Sequence, residues 1–375
     1  MLAGPWTVRV HLSLVNAGDV LRLDKCGGGW LLGGSDADRF VLVNDYLRYL
    51  ADRNYSPSTV RAYGFDLLAF CRWLSVEDVE FDGVTTDVLL RYLSACRSAR
   101  LPGRPGPNVV SIRGGRLDGY AATTINHRLV AIGGLFTFRG MRDPDAAHPV
   151  PKGRAARWAS AGERGGMLAH VARRPKERSP LRLREPRRLP RPLNRAETAD
   201  LLASLRTWRD RAIAGLMLFC GLRSCEVLAL EIADVDIGRR WLRVVGKGAK
   251  ERRVPLDVDV AGVIQTYLLA ERPETASRRL FVVAKGPSRG HGLTPAGLRT
   301  IFRYHRDQAG VPAGHPHALR HTFGTALAEA GVDLSVMQAL LGHAHVDTTA
   351  RYIHLAPTHV KEQFDAARAR IHAGR

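Results

Sequence analysis

Apolar positions recur along most of this chain at helical spacing. From Asp36 onward, Phe40, Val43, Leu47 and Leu50 fall on one face of a helix. Ser56-Pro57 reads as an N-cap followed by proline at the first helical position, where its missing N–H costs nothing. Val60, Tyr63, Leu67, Leu68, Cys71 and Leu74 continue that helix's apolar face. Two more amphipathic helices are predicted over 86–99 and 122–138, separated by a Gly- and Pro-rich loop carrying Arg104, Arg113 and Arg116. Four such helices predict a small all-helical bundle, and their aromatic residues at helical spacing read as core. Residues 1–35 break the pattern. Val8, Val10 and Leu12 alternate like a short strand, then Gly27-Gly28-Gly29 and Gly33-Gly34 interrupt, which leaves 1–35 as an unassigned N-terminal extension.

The helical pattern resumes at Asn194, which with Glu197 forms a predicted capping box ahead of Leu201, Leu202 and Leu205. A helix from Trp208 stops at Gly221, and a short one follows with Ser224 as its expected cap. Trp241–Val245 and 252–256 alternate like strands around Gly246-Lys247-Gly248-Ala249-Lys250, a glycine-rich hairpin tip. Helices are then predicted from Thr294-Pro295 towards Gly310, over 318–330 up to Gly331, and over 334–341 up to Gly342. The expected fold class is therefore mainly α with a small antiparallel β-sheet: an N-terminal helical bundle over 36–140 and an α+β domain over 192–375.

Charge changes the picture most in the segment between them. Residues 141–191 hold 14 Lys and Arg against 5 Asp and Glu, with prolines at 144, 149, 151, 175, 180, 186 and 190. This is a basic, Pro-rich linker, either tracking a phosphate backbone or simply solvated. Over the whole chain of 375 residues, Lys and Arg total 56 against 36 Asp and Glu, a formal charge of +20. Such an excess implies a polyanionic partner, of which nucleic acid is the commonest. No long uninterrupted apolar run suggests a membrane span, and Arg9, His11, Asp19 and Arg22 interrupt any secretory signal core. Five cysteines without a CxxC pair or a Cys/His zinc spacing argue for reduced thiols in a cytosol.

The candidate chemistry is concentrated late in the chain. His317 and Arg320 stand three apart at a helix start and share a face. Arg223 follows a helix-terminating glycine, with Glu226 three residues on and able to fix its guanidinium. Two positioned guanidiniums can each present paired N–H donors to the non-bridging oxygens of a phosphate. Phosphoryl transfer depends mainly on positioning and charge stabilisation, so two such forks can serve where a metal serves elsewhere. Tyr352 is the best-placed nucleophile, a phenol that needs cationic neighbours or a base to react near neutrality. Taken singly, each residue has a bland reading as a surface ion pair, a helix cap or a solvated lysine.

As an ordered set the residues are more specific. Gly221-Leu222-Arg223-Ser224-Cys225-Glu226, Gly246-Lys247-Gly248-Ala249-Lys250-Glu251-Arg252, His317-Ala318-Leu319-Arg320-His321-Thr322, Leu341-Gly342-His343 and Arg351-Tyr352 together resemble the tyrosine recombinases, or phage-type integrases. Tyr352 lies nine residues after His343, as the resemblance requires. The resemblance is pattern-level over about 36–140, which it makes a SAM-like core-binding domain, and close over about 190–365. It implies cutting and rejoining of double-stranded DNA through a 3′-phosphotyrosyl link, with no metal and no ATP or other cofactor. In that scheme Tyr352 is the nucleophile, Arg223 and Arg320 hold the phosphate, Lys247 protonates the leaving 5′-oxygen, His317 helps to move the tyrosine proton, and His343 hydrogen-bonds the phosphate. It also implies a homo-tetramer on synapsed DNA, docked through a C-terminal helix near 359–371, in a cytoplasmic, nucleoid-associated setting. A non-catalytic DNA-binding accessory protein and a type IB topoisomerase are the alternatives. His315, His321, His345 and His354 are expected to be bystanders.

Overall fold

The computed structural model describes residues 21–99, 119–151, 179–185, 191–246 and 250–343, together with Thr349 and Tyr352. The chain divides into two compact units, Met1–Pro186 and Arg187–Arg375.

In the first unit, helices α1 (Val41–Asp52), α2 (Pro57–Val76), α3 (Thr86–Ser98) and α4 (Ala122–Arg142) bury a common core that includes Leu47, Leu67, Phe70, Leu89, Ile132 and Phe136. Ser56 caps α2 as its sequence predicts, its hydroxyl accepting from the backbone N–H of Thr59. The fourth helix runs past Phe138 to Arg142, so two residues assigned to the linker belong to it. Other linker residues also pack on this unit. The Thr86 hydroxyl donates to the Pro149 carbonyl at 2.9 Å, and the Asn126 amide bonds Leu183 through both its N–H and its carbonyl at 3.0 and 2.9 Å. Leu181 and Leu183 pack against the core.

A second departure lies in the stretch left as a loose extension. Strands β1 (Arg22–Cys26) and β2 (Gly29–Gly33) form an antiparallel hairpin, with Cys26 opposite Gly29. The turn places Gly27 and Gly28 at φ +54° and +87°, the pair of positive values that a tight two-residue hairpin turn demands. The triple glycine that reads as an interruption is therefore the turn itself. Leu21 and Leu32 are buried in the helical core, and Asn44 of α1 clamps the edge of β2 by bonding both the N–H and the carbonyl of Leu32, at 2.7 and 3.1 Å. Val8, Val10 and Leu12, expected to alternate like a short strand, lie outside the described residues.

The second unit is built from α5 (Arg195–Ser204), α6 (Trp208–Leu218), α7 (Ser224–Ala229), a three-stranded antiparallel sheet, and α8 (Val258–Thr266), α9 (Pro295–Gln308), α10 (Pro316–Glu329) and α11 (Leu334–Leu341). The sheet order is β3 (Val235–Asp236), β4 (Trp241–Val245), β5 (Glu251–Pro255). Helix α6 is the central element: Ile213, Ala214, Leu216 and Met217 are buried within it, and α8 and α10 pack on it. The capping box of Asn194 and Glu197 forms as predicted. Helix α7 is capped one residue earlier than expected. Arg223 is its N-cap and Ser224 its first helical residue, because Glu226 reaches back to the Arg223 N–H at 2.8 Å and closes the turn. No helix among the described residues is long and apolar enough to cross a membrane.

Candidate active site

Of the residues nominated from sequence, Arg223, His317, Arg320, His343 and Tyr352 gather around α10. His315 caps that helix, its Nδ1 accepting from the Ala318 N–H at 3.0 Å, and Pro316 opens it. Arg320 follows on the inner face, only 2% exposed. Its guanidinium donates to the carbonyls of Gly221 and Leu341 and to Nε2 of His343 at 3.1 Å. Those carbonyls lie just after α6 and at the end of α11, so Arg320 ties three helix ends together. Burial, and then the neighbouring Arg223, lower its pKa to about 10, which leaves it charged at neutral pH.

Arg223 faces Arg320 across Glu226. The Glu226 carboxylate is buried and accepts from Arg223 Nη1 at 2.8 Å, from the Arg223 backbone N–H at 2.8 Å, and from both terminal nitrogens of Arg252 at 2.9 Å. It also stands 3.9 Å from Arg320. Burial alone would raise its pKa, but the hydrogen bonds from Arg252 and Arg223 outweigh that and hold it at about 2. The carboxylate is thus the anionic hub of three arginines. Arg252 arrives from β5 and also donates from Nε to the Leu340 carbonyl at 3.2 Å. By sequence it is only the last residue of the hairpin motif over 246–252, with no role implied. The signal lay in the strand's alternation, which turns Arg252 and Val254 inward and Glu251 and Arg253 outward.

Gly342 caps α11 in the left-handed conformation, and its carbonyl accepts from Arg223 Nη2 at 3.1 Å. The turn delivers His343 beside Arg320. Burial and then the Arg320 and Arg223 charges lower the His343 pKa to about 4. A guanidinium never accepts, so Nε2 of His343 must accept from Arg320, and Nδ1 carries the proton, donated to the Thr349 hydroxyl at 2.9 Å. Protonating Nε2 breaks that contact. Because the folded pKa lies below the unfolded value near 6.5, the unfolded chain binds more protons between them. The stabilisation is complete above pH 6.5 and is lost as pH falls towards 4. Burial also lowers His315 and His317, in the same direction. Urea melts of the wild type should therefore weaken from pH 7 to pH 5, and His343→Gln should flatten that slope.

Tyr352 is 3% exposed. Its ring lies parallel to His343, centroids 6.2 Å apart and planes at 3°, over Gly324 of α10. A Cβ at Gly324 would stand 2.5 Å from the Tyr352 Cζ, so only glycine admits the ring there. Its hydroxyl is 3.0 Å from Nδ1 of His321. The His317 ring packs edge to face on His321, centroids 4.4 Å apart. The structure thus brings Arg223, Arg320, His343 and Tyr352 together, sets His317 one ring behind, and gives a direct contact to His321, which was expected to be a bystander. Spacing held the signal: His317 and His321 are four apart, one turn along the same helix face. Lys247, His345 and His354 lie outside the described residues. Among the described residues no group of three or more His, Cys, Asp or Glu could hold a metal ion.

The sequence matches the family described as "Phage integrase family" over residues 191–359, and "Phage integrase, N-terminal SAM-like domain" over 43–106. Tyrosine recombinase XerC of Roseiflexus castenholzii is 30% identical over 326 residues, 84% of this chain and 88% of that one. Tyrosine recombinase XerC of a Mycobacterium species (strain KMS) is 31% identical over 340 residues, covering 88% and 99%. The chain belongs to the tyrosine recombinases. Solved structures at lower identity share the fold. The XerH site-specific recombinase bound to palindromic difH substrate superposes with a TM-score of 0.58 at 22% identity, covering 88% of each chain. The Tn1549 transposon integrase in complex with a circular intermediate DNA gives 0.57 at 16% identity, covering 83% and 94%. As a tyrosine recombinase the chain is an enzyme of site-specific DNA recombination, and its helical first unit carries the SAM-like domain of that family.

Proposed function

We propose that this recombinase cuts and rejoins double-stranded DNA through a covalent 3′-phosphotyrosyl link formed by Tyr352. The observation that carries the reading is the meeting of Tyr352 with Arg223, Arg320 and His343 at the end of α10, around a buried carboxylate. Two guanidiniums held by Glu226 and by backbone carbonyls are preorganised to bind the non-bridging phosphate oxygens, so little reorganisation is needed as charge develops. Neutral His343 adds an imidazole beside them. Lys247, which the sequence places between β4 and β5, is assigned the proton for the leaving 5′-oxygen. The phosphotyrosyl link conserves the energy of the broken bond, so the scheme calls for no ATP or metal. His317 helps to move the tyrosine proton, its ring packed on His321, whose Nδ1 meets the tyrosine hydroxyl. The first unit, as core-binding domain over 36–140, and the basic linker over 141–191 would embrace the duplex, with a homo-tetramer on synapsed DNA docked through 359–371 and a nucleoid-associated, cytoplasmic setting.

The decisive experiment traps the covalent adduct on a nicked suicide substrate. Two subsidiary outcomes are expected. Lys247→Ala should cleave ordinary DNA on the order of 10² to 10⁴-fold more slowly, and a substrate with sulfur in place of the leaving 5′-oxygen should restore the rate, since a thiolate departs without a proton. No rescue would remove Lys247 from the acid role. DNA affinity should fall by roughly 10³-fold or more between about 50 and 200 mM salt, as phosphate contacts release counterions. A flat dependence would take the linker off the DNA backbone.

A further inference from the structure

We infer that Arg252 is a positioning residue for the proton donor: it sets the β4–β5 hairpin, and with it Lys247, in register with the two arginines that hold the phosphate. The inference rests on the acid role proposed above for Lys247 and adds what places that lysine.

Lys247 follows directly on Gly246, at the neck of the hairpin, where the Gly246 N–H donates to the Lys250 carbonyl at 2.8 Å. Just below that closure Arg252 stands opposite Val244 in the ladder. Its two terminal nitrogens take one oxygen each of the Glu226 carboxylate, both at 2.9 Å, and its Nε donates to the Leu340 carbonyl at 3.2 Å. One planar group thus ties β5 to α7, which Arg223 caps, and to the end of α11, which leads into His343. The fit is close on both sides. A Cβ on Gly342 would come 2.9 Å from the Arg252 Cζ, and one on Gly246 would come 3.7 Å from its Nη1 and 3.9 Å from Glu226 Oε1. The neck of the hairpin therefore lies on the Arg252–Glu226 pair, one residue before Lys247.

The phosphate-binding arginines have anchors of their own. Arg223 is held by Glu226 and the Gly342 carbonyl, and Arg320 by the Gly221 and Leu341 carbonyls and His343. Losing Arg252 leaves those bonds in place and releases β5 from α7 and α11 at this point. What suffers is one proton transfer. As the Tyr352 oxygen bonds to phosphorus and the bond to the 5′-oxygen breaks, the Lys247 ammonium gives a proton to the departing oxygen. In the joining step the 5′-hydroxyl returns it.

The test is single-turnover cleavage of the suicide substrate by Arg252→Met, Arg252→Lys, Lys247→Ala and the double variant of the last two, with thermal melting and DNA binding measured alongside. Arg252→Met should cleave on the order of 10²-fold more slowly, the cost of a group misplaced by about 1 Å, while binding DNA as the wild type does. Arg252→Lys keeps the charge but not the fork that spans both carboxylate oxygens, and should cleave about tenfold more slowly. A sulfur leaving atom, which departs without a proton, should bring both within about threefold of the wild type on the same substrate. With Lys247 already replaced, Arg252→Lys should cost no more than about a further twofold, since both changes remove the same step. Arg252→Lys decides alone if Arg252→Met does not fold. Wild-type rates in the folded variants, a loss that sulfur does not repair, or losses that multiply in the double variant would each overturn the assignment, and a merely structural arginine would give the last two. A Lys247→Ala loss that sulfur leaves unrepaired would instead remove the acid reading beneath it. A wild type that forms no adduct dependent on Tyr352 would remove the phosphotyrosyl reading itself.

Discussion

Tyr352→Phe is expected to form no covalent adduct on a nicked suicide substrate while folding and binding DNA as the wild type does. The ring is buried over Gly324 and beside His343, and phenylalanine fills the same volume in the same orientation. What is removed is one oxygen and its hydrogen bond to His321, worth about 1 kcal/mol net to stability. The phosphate-binding arginines are anchored to Glu226, to backbone carbonyls and to His343, so losing the hydroxyl leaves them in place. The loss is then purely chemical, and cleavage should drop by on the order of 10⁴-fold or more, as when any enzyme loses its nucleophile. Denaturing gels of the trapped reaction measure the adduct, and a gel-shift titration measures affinity. A covalent adduct formed by the phenylalanine variant would mean that another residue is the nucleophile.

Much of this architecture is legible in the sequence, because most of it is written locally. Ser56-Pro57, the pair Asn194 and Glu197, and the alternation from Trp241 to Val245 each specify an element through contacts a few residues away. The N-terminal hairpin was missed for the opposite reason. Its turn glycines read as an interruption, and what holds it are non-local contacts: Asn44 on β2, and Arg72 of α2, whose Nε donates to the Leu21 carbonyl at 3.0 Å. The site divides in the same way. Arg223, Arg320, His343 and Tyr352 were found by order and spacing. Which imidazole faces the tyrosine hydroxyl was not, because it depends on where the chain returns across α10, and that is set by the empty space above Gly324. Arg252 was passed over because a strand arginine is ordinarily solvated, whereas here it is drawn inward by a carboxylate 26 residues earlier in the chain.

Glu226→Ala is expected to have the largest effect on folding, a loss of about 3–5 kcal/mol, as found when one member of a buried ion group is removed. The reason is less the attraction lost than the charges left behind. Arg320 and Arg252 are both deeply placed, with side chains 14% or less exposed, and without Glu226 they repel one another and Arg223 with no anion between them. Glu226→Gln keeps the volume but turns an N–H towards guanidinium donors, so it should recover little. Cleavage should fall by on the order of 10²-fold or more in either variant, since the two phosphate forks lose the group that orients them. The acid dependence provides an independent signature. The folded pKa, about 2, lies below the ordinary 4.5, so the contribution is complete above pH 4.5 and is lost as pH falls from there towards 2. Its full size is about 3 kcal/mol. Urea melts of the wild type at pH 5 and pH 3 should therefore differ more than those of Glu226→Gln at the same two values. An acid slope as steep in the glutamine variant as in the wild type would place the acid sensitivity on other carboxylates and remove Glu226 from the centre of the arginine cluster.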